Sequence, residues 1–290
     1  YRGQVPPDMA LDLPTLQGSF ALPIKYGYAM VGRVIDVGPD VERVAVGDAV
    51  FVLHPHQSVF TVPADLATPL PRDLDPALGV FMANVETALN IVHDSPLRLG
   101  ETAVVYGLGT VGLLVVQLLR MAGAARLVAV DPLPHRRATA EQLGVVLALT
   151  PDDGLPGRVR ELTAGRGADV AIEVSGAPAA LQSAIDVLAD EGTAVVASWY
   201  GAKPVALALG DRFHRGRLRL RSSQVGHLNP SLAPRWDYAR RTATVVDFLQ
   251  RLQLAPLITH RVPFAQAADA WRLVDEHPDE VVQVAIEYQE

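Results

Sequence analysis

The 290-residue sequence contains no cysteine. That excludes disulfide cross-links and any metal site built on thiolates. A cytoplasmic location fits this absence. An excess of basic residues is missing as well: 25 Lys and Arg stand against 32 Asp and Glu, a formal net charge of −7. Nucleic acid is therefore not an expected partner, because it calls for a concentrated basic surface. Long apolar runs are absent too. The best, Val111 to Leu119, is interrupted by Gly112 and Gln117 and is far shorter than the ~20 residues of a spanning helix, so no membrane partner is expected. Residues 1–9 have neither the basic start nor the apolar stretch of a signal peptide. The sequence opens without Met, and an N-terminally incomplete first domain is the expectation.

What is present is apolar material in quantity. Hydrophobic residues make up 49% of the chain, ample for the cores of two domains. Residues 1–24 are proline-rich and read as loop. Short strands are expected at Tyr28–Val37, Ala49–Leu53 and Val59–Val62, punctuated by Gly38-Pro39-Asp40 and Gly47-Asp48. Leu74–Asp94 reads as helix. From Glu101 onward strands and helices alternate. The strands are Thr102–Tyr106, Arg126–Val130, Val145–Leu149, Val170–Val174, Thr193–Trp199 and Leu218–Arg221. The helices are Val111–Met121, Arg136–Leu143, Leu155–Thr163 and Ala179–Leu188. Continuous apolar strands alternating with helices predict an α/β fold with a doubly wound parallel sheet. Beyond Ser223 the pattern becomes two helices, Asp237–Leu254 and Pro263–Val274, then a closing strand, Val281–Tyr288.

One motif carries chemistry. Gly107-Leu108-Gly109-Thr110-Val111-Gly112 is G-x-G-x-x-G between a buried strand and a helix. The first glycine permits the turn, the second lets backbone approach a pyrophosphate, and the third lets helix and strand pack closely. The helix N-terminus then offers unpaired N–H groups and a positive dipole end to phosphates. Asp131 ends the next strand 24 positions after Gly107, near the ~20 expected of a ribose-binding carboxylate. The order strand, glycines, helix, strand, acid points to a Rossmann site for a nicotinamide dinucleotide. Asp131 favours NAD over NADP, since a carboxylate repels a 2′-phosphate. Arg136 and Arg137 temper that preference, as cofactor contacts or as a solvated helix face.

The chain also resembles the medium-chain dehydrogenase/reductase superfamily, the zinc-type alcohol dehydrogenases and quinone reductases. Pro23 to Val34 is similar to that family's G-H-E-x-x-G-x-V segment, Gly47-Asp48-Ala49-Val50 to its G-D-x-V turn, Glu86-Thr87-Ala88 to the start of its interdomain helix, and Glu173-Val174-Ser175-Gly176 to its E-x-x-G strand end. The resemblance implies a GroES-like β-rich catalytic domain, residues 1–85 and 224–290, split around a Rossmann domain, residues 86–223. It also implies cofactor contacts from Val174, Ser175 and Gly176, from Ser198, Trp199 and Tyr200, and from Ser222, Ser223 and Gln224. A homodimer is implied, paired through an edge strand at Leu218–Arg221 or Pro204–Leu209.

The departures from that family matter equally. Tyr28, Ala29 and Ala83 stand at its zinc-ligand positions, and His54-Pro55-His56-Gln57-Ser58 occupies the region of its four-cysteine lobe. No zinc is therefore expected. Without a Lewis acid a substrate oxygen needs a hydrogen-bond donor. Tyr28 is the first candidate, Glu86 and Asn84 follow, and His54 and His56 offer a proton relay; each also has a plain packing or surface reading. His93, His135 and His277 read as surface groups. The leading expectation is an NAD(H)-dependent alcohol/carbonyl oxidoreductase acting on a small molecule. A reductase of activated C=C bonds or quinones, a non-catalytic NAD-binding protein and a methyltransferase using S-adenosylmethionine are the alternatives.

Overall fold

The computed structural model describes residues 10–13, 16–19, 27–152 and 154–288, the first two segments as backbone only. An antiparallel pair, β1 (Ala10–Leu13) and β2 (Leu16–Ser19), sets Ala10 opposite Ser19. The loop expected over residues 1–24 is corrected there: alternation in Ala-Leu-Asp-Leu suits a strand, and the prolines lie outside both strands. β3 (Met30–Arg33), β4 (Ala49–Val52) and β5 (Thr68–Pro69) form a three-stranded antiparallel sheet in which Met30 faces Val52. The strand expected at Val59–Val62 does not form. Phe60 instead stacks on His54, its ring centroid 3.8 Å away.

Helix α1 (Met82–Asp94) leads into the main sheet. Its elements follow as β6 (Thr102–Tyr106), α2 (Thr110–Met121), β7 (Arg126–Val130), α3 (Pro134–Gln142), β8 (Leu147–Leu149), α4 (Leu155–Leu162), β9 (Ala168–Glu173), α5 (Pro178–Asp186), β10 (Leu188–Val196) and β11 (Arg219–Ser222). The strand order is β11-β10-β9-β6-β7-β8, and every pairing is parallel. This is the doubly wound order, with its switch point between β6 and β9, where such folds bind ligands. The sheet is covered on both faces, which explains why β6 is apolar throughout. Ala103 and Val105 enter a core shared with α1 and α2, whereas Val104 and Tyr106 enter one shared with α4 and α5.

The chain continues as α6 (Tyr238–Arg251), capped by the Asp237 carboxylate on the Arg240 N–H, then β12 (Ile258–Pro263), α7 (Ala267–Glu276) and β13 (Gln283–Glu287). β12 pairs with β13 in parallel. The helix expected from Pro263 thus starts at Ala267; Pro263, with its fixed φ, ends a strand. Pro204–Leu209 forms no strand, so β11 is one edge of the main sheet and β8 the other. Among the described residues no helix is long and apolar enough to cross a membrane.

Candidate active site

Two cavities meet at the carboxyl end of β6. Gly107 and Gly109 turn the chain from β6 into α2. Gly107 has φ +93°, and a Cβ on it would lie 2.7 Å from the Ser175 backbone, so the turns after β6 and β9 touch at the switch point. A Cβ on Gly112 would lie 1.9 Å from the Gly107 carbonyl oxygen, which brings helix and turn into direct backbone contact. Around Gly109 the space is open, the nearest atom to such a Cβ being Arg136 Nη1 at 3.9 Å. A cradle bare of side chains at a helix N-terminus fits a dinucleotide pyrophosphate.

The first cavity, about 770 Å³, lies over β6, β7 and β9 and is lined by Gly107, Asp131, Arg136, Asp152, Ser175 and Asp186 among others. Asp131 is 4% exposed. Its Oδ2 accepts the Leu108 N–H at 2.7 Å and its Oδ1 accepts the Leu133 N–H at 2.8 Å. The carboxylate therefore holds the glycine turn in shape, and each oxygen keeps a further lone pair for a ribose hydroxyl. Leu108 contributes only that N–H, because its side chain is fully buried. Arg136 lies between the cavities, its Nη2 donating to the carbonyls of Pro278 and Val281. The Arg137 guanidinium turns back onto the Asp131 and Pro132 carbonyls.

The second cavity, about 550 Å³, runs from the α2 N-terminus toward β3 and β13. Tyr28, His56, Asn84, Thr110, Val111, Val174, Trp271 and Tyr288 are among its walls. Tyr28 is 42% exposed there. The Thr110 hydroxyl donates to the Val282 carbonyl at 2.9 Å and lies 3.1 Å from Gln283 Oε1, fastening α2 to the last strand. Burial lowers the pKa of His56 below its usual value, which favours the neutral imidazole. Its Nδ1 is 3.2 Å from Tyr288 Oη, and burial raises that phenol above its usual range.

The chain is similar to known dehydrogenases. The family described as zinc-binding dehydrogenase matches residues 110–241. D-guloside 3-dehydrogenase of Escherichia coli K12 is 32% identical over 272 residues, covering 90% of this chain and 77% of the relative. The crystal structure of 2R,3R-butanediol dehydrogenase from Bacillus subtilis superposes with a TM-score of 0.76 at 25% identity, covering 92% of this chain and 81% of that one. A structure from Sinorhizobium meliloti 1021 bound to NADP shares the fold with a TM-score of 0.74 at 21% identity, over 99% of this chain and 86% of its own. The chain belongs to the zinc-binding dehydrogenase family of the medium-chain superfamily. It is an oxidoreductase of alcohols, with small-molecule substrates.

The sequence resemblance sets Tyr28, Ala29 and Ala83 at the positions of that family's zinc ligands. They provide one phenol and two methyl groups, which do not suit a zinc ion. Among the described residues no three His, Cys, Asp or Glu side chains converge.

Several expected site residues lie elsewhere. Glu86 does not reach the cleft; its Oε1 accepts from Nε and Nη2 of Arg241, at 3.1 and 2.8 Å. Arg241 is 4% exposed and needs that carboxylate for charge balance. His54 lies flat on Phe60 and is not part of the cavity wall. Ser198, Trp199, Tyr200, Ser222, Ser223 and Gln224 line neither cavity. Gly176 also stays off both walls, whereas Val174 lines both. Two of the six hold the turn after β9: Ser198 Oγ accepts the Gly176 N–H, and Tyr200 Oη donates to Glu173 Oε2. Fully buried Glu173 also receives the Ser175 and Gly176 N–H groups and the Ser175 hydroxyl on Oε1. Ser223 Oγ donates to Asp94, and the Gln224 carbonyl accepts from Asn90, tying the end of β11 to α1. His93 is no plain surface group; it packs edge-on to Trp236, with ring centroids 4.3 Å apart.

Tyr288, Trp271 and Gln283 were not anticipated. Tyr288 and Gln283 lie in the closing strand segment and Trp271 on a helix with a strong apolar face. Nothing local in the sequence marks such residues as facing a glycine turn more than a hundred residues earlier.

Proposed function

We propose that this chain is an NAD(H)-dependent oxidoreductase that interconverts an alcohol and its carbonyl compound without zinc. The observation that carries the reading is the glycine cradle at the switch point, flanked by an acidic cavity on one side and a Tyr-lined cleft on the other. Bound there, a nicotinamide cofactor supplies or accepts the hydride. The chain's own groups do the rest. The α2 N-terminus and Gly109 receive the pyrophosphate, and Asp131 receives the adenosine ribose. Tyr28 donates a hydrogen bond to the substrate oxygen from the place where relatives put a metal ligand. The domain division that suits this reading is 1–85 and 224–290 around 86–223.

NAD is favoured over NADP by the carboxylates of Asp131, Asp152 and Asp186 on one cavity wall. The NADP held by the Sinorhizobium meliloti protein makes the point worth testing. We expect tighter binding of NADH than of NADPH by fluorescence titration, and about a tenfold loss of that preference in Asp131→Ser. Stoichiometric zinc by elemental analysis, with activity lost to a chelator, would overturn the metal-free part. A screen of NADH oxidation with ketones, enones and quinones tests the reaction class. Pairing of two chains through the β11 edge makes a homodimer, a physical remedy for an uncovered strand, and light scattering tests it.

A further inference from the structure

We propose that His56 and Tyr288 form a hydrogen-bonded proton relay that serves the substrate hydroxyl in the cleft beside Tyr28. The proposal rests on the oxidoreductase reading above and adds two residues to it. Both side chains line the cavity that the glycine turn opens into. The two residues are 232 positions apart in sequence, and the Nδ1 to Oη separation is 3.2 Å.

The surroundings fix both rings. Gly27 has φ +90°, and a Cβ there would lie 2.3 Å from His56 Cδ2 and 2.5 Å from Nε2. The residue before Tyr28 is therefore bare where the imidazole rests, and any side chain would evict the ring. Trp271 meets the imidazole edge-on at 6.3 Å. Phe264 stacks on the Tyr288 ring at 4.5 Å, and Met30 Sδ lies 3.9 Å from its hydroxyl. The Tyr288 hydroxyl thus has one strong polar neighbour, and that neighbour is His56.

The chemistry follows from the two nitrogens of the ring. Nδ1 is engaged by Tyr288, and no protein hydrogen bond to Nε2 is found among the described residues, which leaves Nε2 for a substrate hydroxyl. In alcohol oxidation the substrate O–H bond breaks and its proton goes to Nε2. A nicotinamide held in the glycine cradle would take the carbinol hydrogen as hydride while the C=O bond forms. In concert the Nδ1–H bond breaks, its proton passes to Tyr288 Oη, and the tyrosine's own proton passes to water. One proton is released for each hydride transferred, and the starting tautomer returns by exchange with solvent. The concerted transfer bypasses an imidazolium, the form that burial of the ring disfavours. His56 is the catalytic residue of the pair, and Tyr288 is a positioning residue that acts through it.

The test uses the full chain with NAD and a panel of secondary alcohols. Tyr288→Phe keeps the ring on Phe264 and removes only the hydroxyl. We expect turnover to fall tenfold or more in Tyr288→Phe and about a hundredfold in His56→Ala, with part of the latter loss restored by added imidazole. NADH affinity by fluorescence should stay within about twofold in both, as a relay that leaves the cofactor alone requires. Nitrogen NMR of histidine-labelled protein gives a readout free of turnover: the His56 Nδ1 signal should move in Tyr288→Phe. An active wild type with turnover unaffected in Tyr288→Phe, or an unmoved Nδ1 signal, overturns the relay alone. A wild type that binds NADH yet oxidises nothing in the panel overturns the oxidoreductase reading and the relay with it. Should His56→Ala fail to fold, Tyr288→Phe decides.

Discussion

The glycine cradle and the cleft beside it are built on different principles. The cradle is backbone. Gly107, Gly109 and Gly112 matter for what they lack, and its one essential side chain, Asp131, works through two main-chain N–H groups. The cleft is side chain: Tyr28, His56, Trp271 and Tyr288 reach it from three separated stretches. At Gly107 and Gly112 the backbone leaves no room for an added atom, and a side-chain site can be rewritten residue by residue. Under the proposed zinc-free reading, this contrast accounts for a dinucleotide cradle kept beside a cleft whose lining has changed.

The largest expected effect lies in the cradle. Gly112→Ala places a methyl 1.9 Å from the Gly107 carbonyl oxygen, a clash with backbone that no rotamer relieves. NADH binding should be abolished, and the melting temperature should drop by several degrees in calorimetry. If Gly112→Ala binds NADH normally, the cradle is softer than its geometry implies. In the cleft, Tyr28→Phe should leave NADH affinity intact and lower turnover by about 10²–10³ in steady-state kinetics. Unchanged turnover would reduce Tyr28 to a space-filling role.

A third region separates structure from chemistry. Glu86→Gln leaves the guanidinium of Arg241 buried without its partner charge. Stability in urea should fall by about 3 kcal/mol, discounted somewhat because the Glu86 side chain is 26% exposed. NADH binding should survive. A change in turnover alone, without loss of stability, would return Glu86 to the reaction.

The smallest effect is on pH. Burial lowers the pKa of His56. It lowers that of His93 too, helped there by the nearby Arg241 and Arg240 charges against the opposing effect of Asp94. Both groups bind protons more readily in the unfolded chain, whose value is 6.5, than in the folded one. As pH falls through that value, the unfolded state gains protons first, so stability declines. The melting temperature should therefore drop as pH falls from about 7 to about 5.5, and His93→Gln should flatten part of that slope.

How much of this was legible in the sequence follows the same divide. The parallel sheet could be read because strands buried on both faces are apolar throughout, and β7 falls on the expected residues, Arg126–Val130. The glycine turn could be read because its constraints lie within a few positions. Proline hides the strands beside it, at Ala10–Leu13, Leu16–Ser19 and Ile258–Pro263, from a reading of the sequence. Glu86 was expected in the cleft because helix position alone does not reveal that Arg241, 155 residues later, takes its carboxylate. His54 and His56 are two residues apart and equivalent on paper. One finds Phe60 and the other Tyr288, a choice made entirely by distant packing.

The contact between His56 and Tyr288 spans 232 positions. The contact that shapes the glycine turn spans far fewer: Leu108 to Asp131 is 23. Closing so long a loop costs chain entropy before any contact compensates for it, so short-range structure forms first. During synthesis the main sheet can be complete while the last strand is still inside the ribosome. The nascent chain should therefore acquire nucleotide binding before it acquires turnover. A set of chains released at increasing lengths should show the two properties appearing in that order.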